Sequence, residues 1–186
     1  MSNANEAEVG AEPGVAEPSL YFAYGSNMAT ARLRGRMRSA EPLGLASLAG
    51  HELRFHKRSK KDGSSKANAF ATGDDASTVI GVLFSFNPAE RPALDEAEGA
   101  GYGYEAKIVT VIDQAGQPRD ALTYLATPNA IDQGQKPYSW YKDHVLIGAR
   151  EHQLQGDYVA TWIEAVAAVD DPDRERDRTE RATHDV

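Results

Sequence analysis

Apolar and polar positions change their period several times along this chain, and each change marks an element. Leu20–Tyr24 is a short apolar run ending at Gly25, the pattern of a buried strand. Asn27 is placed to cap a helix running to about Met37. The spans Pro42–Phe55, Ala67–Thr72 and Thr78–Phe86 read as strands, and the last carries so little charge that it is expected at the centre of a sheet. The polar stretch Lys57–Lys66, with Gly63, reads as a loop. Asn87-Pro88-Ala89-Glu90 is a helix start, with Asn87 as cap, Pro88 in the first turn and Glu90 closing a capping box. That helix is expected to end at Glu98, before Gly99. Strands Ala106–Asp113 and Ala121–Ala126 follow, joined by a turn around Gly116, and then helices over Tyr138–Gln153 and Asp157–Val169. Strands interrupted by helices, with few βαβ alternations, predict a mixed α/β (α+β) fold whose sheet curls around a core.

The ends differ from the middle. Residues 1–18 are rich in Ala, Glu, Gly and Pro without a hydrophobic period, and are expected as a disordered tail. Residues 170–186 carry seven acids and four arginines and are expected as a charged flexible tail, in part helical through local ion pairs. One domain, 19–169, lies between. The chain's net charge of −8 sits mostly in these ends, so the domain itself is nearly neutral and its charge says little about substrate. Cysteine is absent, which excludes a thiol nucleophile, a disulfide framework and sulfur-ligated metal. No apolar run is long enough to span a membrane, and the first residues lack the basic and apolar regions of a signal peptide. A cytoplasmic location is the resulting expectation.

Two segments concentrate candidate chemistry. In Tyr21-Phe22-Ala23-Tyr24-Gly25-Ser26-Asn27-Met28 a strand runs through a glycine turn into a helix. The first amides of a helix lack intrahelical acceptors and can receive an anion or a developing oxyanion. The plainer reading is that Gly25 only turns the chain and Asn27 only caps. In Leu94-Asp95-Glu96-Ala97-Glu98-Gly99 three acids crowd a helix C-terminus. Like charge and the negative helix pole both disfavour ionisation, which suits a carboxylate to proton transfer near neutral pH. The plainer reading is a solvated acidic face. Asp95 and Glu98 are three apart and share a face.

Other candidates carry less. The five histidines (His51, His56, His144, His152, His184) lack metal-ligand spacing. Ser26 lacks the frame of a hydrolase elbow. Arg54, Lys57, Arg58, Lys60, Lys61 and Lys66 form a basic cluster, but without interleaved aromatics beyond Phe55 it reads as a charged loop rather than a nucleic-acid surface.

Together the two segments resemble the γ-glutamylcyclotransferase family: the first its Tyr-Gly-Ser-Asn signature, the second its leucine-aspartate…glutamate-glycine stretch. Trp140-Tyr141-Lys142 with Gly148-Ala149-Arg150-Glu151 is a looser third match, and the resemblance spans about Leu20 to Tyr158. It implies a barrel-like sheet with flanking helices and a cavity. It implies release of 5-oxoproline from a γ-glutamyl amide, with Glu98 as acid and base. Tyr21, Phe22, Ala23, Tyr24, Gly25, Ser26 and Asn27 would cradle the substrate. Tyr141 or Tyr138 would touch it, and Tyr102 or Tyr104 would supply an aromatic after the glutamate. Asn27 and Met28 point to γ-glutamyl amino acids rather than glutathione. No metal or cofactor is implied. The expected partner is a small γ-glutamyl substrate, not nucleic acid or membrane, on a monomer or homodimer. The other reading of the same resemblance is a non-catalytic binder of γ-glutamyl or pyroglutamyl ligands.

Overall fold

The computed structural model describes residues 19–184, so the expectation for residues 1–18 lies outside the described residues. Seven strands carry the fold: β1 (Ser19–Ala23), β2 (Glu41–Ala49), β3 (His51–Arg58), β4 (Ser65–Ala71), β5 (Thr78–Phe86), β6 (Tyr104–Asp113) and β7 (Pro118–Ala126). Five of them close a barrel in the order β1-β5-β2-β6-β7. Four of its contacts are antiparallel, and a parallel contact between β1 and β7, at Tyr21 and Leu122, shuts it. β5 lies between β1 and β2, as its nearly uncharged sequence requires. Phe22, Val79, Val82, Phe84 and Val111 are fully enclosed and fill the core. β3 and β4 form a separate hairpin, tied to the barrel where Asn68 Oδ1 accepts the Ala126 amide of β7 at 2.8 Å.

Five helices flank the sheet: α1 (Thr30–Arg34), α2 (Arg91–Glu98), α3 (Ser139–Glu151), α4 (Gly156–Val159) and α5 (Arg174–Arg181). α2 follows a single 3₁₀ turn in which Asn87 caps, its Oδ1 accepting the Ala89 amide. Glu90 does not close the expected capping box. Its carboxylate reaches back across the fold to the Arg38 and Ser39 amides, each at 3.1 Å. α3 packs on the turn after β1, and Gly148 permits the approach: a Cβ there would lie 2.4 Å from the Ala29 nitrogen and 2.6 Å from Met28.

Several elements depart from the sequence expectation. Pro42–Phe55 is two strands, with the chain reversing at Gly50. The helix expected from Asn27 to Met37 is a 3₁₀ turn, Ser26–Met28, followed by the short α1. The side chain of Asn27 caps nothing there, because it is engaged elsewhere. The helix expected to reach Val169 ends at Glu164 with a π turn, since Val169 is drawn into a bridge beside Tyr138.

The segment past residue 169, expected as a flexible tail, is docked from Asp171 to Arg181. Asp171 is buried, accepts the Trp140 indole N–H at 2.8 Å, and takes a two-pronged contact from Arg176 at 2.5 and 2.7 Å. Glu180 reaches the Arg32 guanidinium at 2.8 Å. These bonds hold the Asp171 carboxyl down to about 2, the Arg176 guanidinium foremost among the causes. A carboxyl whose folded value lies below its unfolded one stabilises fully above the unfolded value, about 3.9, and progressively less as pH falls below it. In a Trp162→Phe background, Trp140 fluorescence is expected to stay constant down to about pH 4 and to change between there and about pH 2. A transition complete above pH 5 would contradict the docking.

Candidate active site

The site forms where β1 turns into α1 and α2 ends beside it. A pocket is lined by Tyr21, Tyr24, Gly25, Ser26, Asn27, Ala67, Glu98, Tyr104, Tyr124 and Tyr141. Gly25 is required by proximity: a Cβ at this position would come within 3.1 Å of Ala67 Cβ and 3.4 Å of the Tyr141 hydroxyl. The turn thereby reaches the β4 backbone.

Asn27 joins the two chemical segments. Its Nδ2 donates to the Tyr21 hydroxyl and to Glu98 Oε1, each at 2.9 Å, and its Oδ1 accepts from Arg36 Nη1 at 2.6 Å. The same Arg36 nitrogen is hydrogen-bonded and ion-paired to Glu98 Oε1. The Glu98 carboxylate is therefore part of a closed Asn–Arg–Glu network, with its side chain 16% exposed toward the pocket. Crowding by like charge, expected from sequence, is replaced by pairing. Asp95 does share the face of Glu98, but its carboxylate accepts the Tyr124 hydroxyl at 2.6 Å and pairs with Arg91 at 3.5 Å.

The phenols are anchored as well. Tyr104 donates to the Ala67 carbonyl, and Tyr141 Oη accepts the Ala67 amide at 3.0 Å, so one β4 residue pins two tyrosines. Tyr24 donates to the Tyr124 carbonyl. Burial pushes the Tyr141 phenol up to about 12 and raises Tyr21, Tyr24, Tyr104 and Tyr124 as well. These groups remain neutral phenols at ordinary pH and act as hydrogen-bonding walls rather than bases.

Of the residues expected from sequence, the pocket brings together Glu98, Tyr21, Tyr24, Gly25, Ser26, Asn27 and Tyr141. Phe22 and Ala23 do not line it. Strand alternation sends the Phe22 ring into the core against Gly81, and Ala23 is enclosed by the barrel. Tyr141 rather than Tyr138 reaches the pocket, because Tyr138 is turned to the Asp62 carbonyl. Tyr104 rather than Tyr102 does so, and Tyr102 is 78% exposed. Arg36, Ala67 and Tyr124 had no signal in the sequence. Arg36 stood in a stretch read only as helix, while Ala67 contributes through its backbone.

A wall of fixed phenols, an uncapped turn and one carboxylate is suited to holding a polar substrate and moving its protons, which is the equipment of an acid–base enzyme. Comparison with known proteins agrees. The AIG2-like family model matches residues 78–162, a stretch that includes Glu98 but not the Tyr21–Asn27 turn. The chain is 33% identical to the γ-glutamylcyclotransferase of Homo sapiens over 148 residues, 76% of each chain, and 32% identical to that of Bos taurus over the same share. A solved γ-glutamyl cyclotransferase superposes with a TM-score of 0.76 at 28% identity, covering 89% of this chain and 99% of its own. A solved human protein described as uncharacterized superposes at 0.73 with 31% identity, covering 83% and 90%. The chain belongs to the γ-glutamylcyclotransferase family and is an enzyme.

Replacing Asn27 by Ala strips Tyr21, Arg36 and Glu98 of a shared partner in a largely buried place. Urea unfolding is expected to show a loss of about 1–3 kcal/mol. A midpoint equal to that of the parent would show that the network is not structural.

Proposed function

We propose that the enzyme converts a γ-glutamyl amide into 5-oxoproline and a free amine, with Glu98 carrying the protons. The observation that carries this reading is the meeting, in one pocket, of the Glu98 carboxylate and the Gly25–Asn27 turn.

The substrate supplies its own nucleophile. Its α-amine attacks its own γ-carbonyl carbon, a C–N bond closes the five-membered ring, and the amide C–N bond to the leaving amine breaks. Holding the extended glutamyl chain in that folded form is proximity catalysis. The α-ammonium has three protons. One stays on the ring nitrogen, and the other two finish on the leaving amine. Glu98 accepts each from the substrate nitrogen and returns it to the leaving group, acting first as base and then as acid. Charge develops on the γ-oxygen during attack, and the amides at the start of the Ser26–Met28 turn, which no side chain caps, would receive it. The Tyr21 and Tyr141 hydroxyls, both already acceptors of protein N–H groups, retain protons to give to substrate oxygens. Arg36 and Asn27 hold Oε1 of Glu98, leaving Oε2 for the substrate.

The substrate class supported is γ-glutamyl amides whose leaving amine extends from the pocket, γ-glutamyl amino acids above all. Purified protein incubated with a panel of γ-glutamyl amino acids, γ-glutamyl amines and glutathione is expected to yield 5-oxoproline by mass spectrometry. Glu98→Gln keeps the shape and removes the proton carrier, so its rate is expected to fall by about 10²–10⁴-fold. Equal rates for parent and variant would remove Glu98 from the mechanism.

A further inference from the structure

The basic cluster Arg54–Lys66 is not simply a charged loop. Two of its members turn inward. Lys66 is enclosed against Trp140 and Tyr141, with Nζ 4.4 and 4.5 Å from their ring centroids, and it is neutralised by Asp62 at 2.7 Å. Lys57 is its register partner on β3, displaced by a bulge after Phe55. Lys57 is only 7% exposed, and its Nζ lies 4.3 Å from the centroid of the Tyr104 ring. Its stem lies over Gly103, where an added Cβ would come within 3.1 Å of Lys57 Cε. Tyr104 lines the pocket and is held by its bond to Ala67; Lys57 does not line it, and its ammonium lies beside that wall.

The charges around this pocket do not balance. Glu98 is paired with Arg36, Asp95 with Arg91, and Asp62 with Lys66. Lys57 forms no ion pair with any described residue. Burial depresses its ammonium, while Glu98 and Asp62 attract it through space and Lys60 repels it. An enclosed ammonium without a counter-charge is costly, and a substrate that brings one would relieve the cost.

We propose that Lys57 is the residue that reads the carboxylate on the leaving side of the substrate, so that the enzyme favours amines carrying a carboxylate. This rests on the cyclisation reading above. The substrate's other carboxylate is borne by the same carbon as the attacking amine. It therefore lies next to Glu98, where Arg36 already supplies positive charge in direct contact. Lys57 attracts Glu98 without touching it, which suits a carboxylate on the far side of the scissile bond. A γ-glutamyl amino acid carries net charge −1 and matches the surplus cation, whereas a γ-glutamyl amine is neutral overall.

The test compares γ-glutamyl-alanine with γ-glutamyl-ethylamine, which differ by that carboxylate alone. The release of 5-oxoproline from each is followed to obtain its kcat/KM. The parent is expected to favour the first by roughly tenfold or more. In Lys57→Met the preference should collapse to near unity, the loss falling on γ-glutamyl-alanine, and in Lys57→Arg it should largely return. An unchanged ratio in Lys57→Met, or equal losses on both substrates, would overturn the assignment while leaving cyclisation standing. No 5-oxoproline from either substrate with the parent would overturn cyclisation and the assignment with it. Should Lys57→Met fail to fold, Lys57→Gln makes the same comparison, with Lys57→Arg as its charge-retaining control.

Discussion

Everything at the site depends on the side-chain amide of Asn27. It bonds at once to the strand that opens the barrel, through Tyr21, and to the end of α2, through Glu98. Its carbonyl oxygen receives Arg36, which itself grips Glu98. An amide can do this because it carries both donors and an acceptor; a carboxylate at this position would face Glu98 with like charge. Asn27, Arg36 and Glu98 form a ring of mutual partners, with Tyr21 joined to it through Asn27, in a largely enclosed place where a satisfied polar network is rigid and a broken one is costly.

The remaining fold serves to close this ring into a pocket. Barrel closure between β1 and β7 brings Tyr124 beside Tyr21, with ring centroids 6.1 Å apart. The β3–β4 hairpin stands outside the barrel, yet Ala67 in its second strand anchors both Tyr104 and Tyr141, one through its carbonyl and the other through its amide. α3 delivers Tyr141, and Gly148 lets that helix lie directly on the turn containing Asn27. The C-terminal segment fastens the start of α3 in turn, through Asp171 on Trp140. The tyrosines are thus held by backbone groups from several elements, and the carboxylate by side chains.

Much of this was legible in the sequence because it follows from local chemistry. The nearly uncharged Thr78–Phe86 read as a central strand, Asn87 as a cap and Gly99 as a stop, and each property needs only near neighbours. The two motifs announced the turn and Glu98. What was not legible required knowledge of which elements meet. Asn27 looked like a cap, since nothing local revealed that its amide would be taken by Tyr21 and Glu98. Arg36 was one residue of an expected helix, and Tyr124 was one strand residue among several. Phe22 and Ala23 were drawn into the site by adjacency to the motif, although strand alternation turns Phe22 into the core and Ala23 is enclosed without lining the pocket. The charged end looked solvated because its composition is polar. Its docking depends on single partners, the buried Asp171 and the half-buried Glu180, that composition does not reveal.

The central claim is that one pocket holds the γ-glutamyl group between Glu98 and the Gly25–Asn27 turn. A crystal structure of the protein with 5-oxoproline tests it most directly. The account predicts the ring nitrogen within hydrogen-bond reach of Glu98, about 2.6–3.2 Å, and the lactam oxygen turned to the Gly25–Asn27 amides. A product bound away from Glu98, or with its lactam oxygen facing that carboxylate, would contradict it.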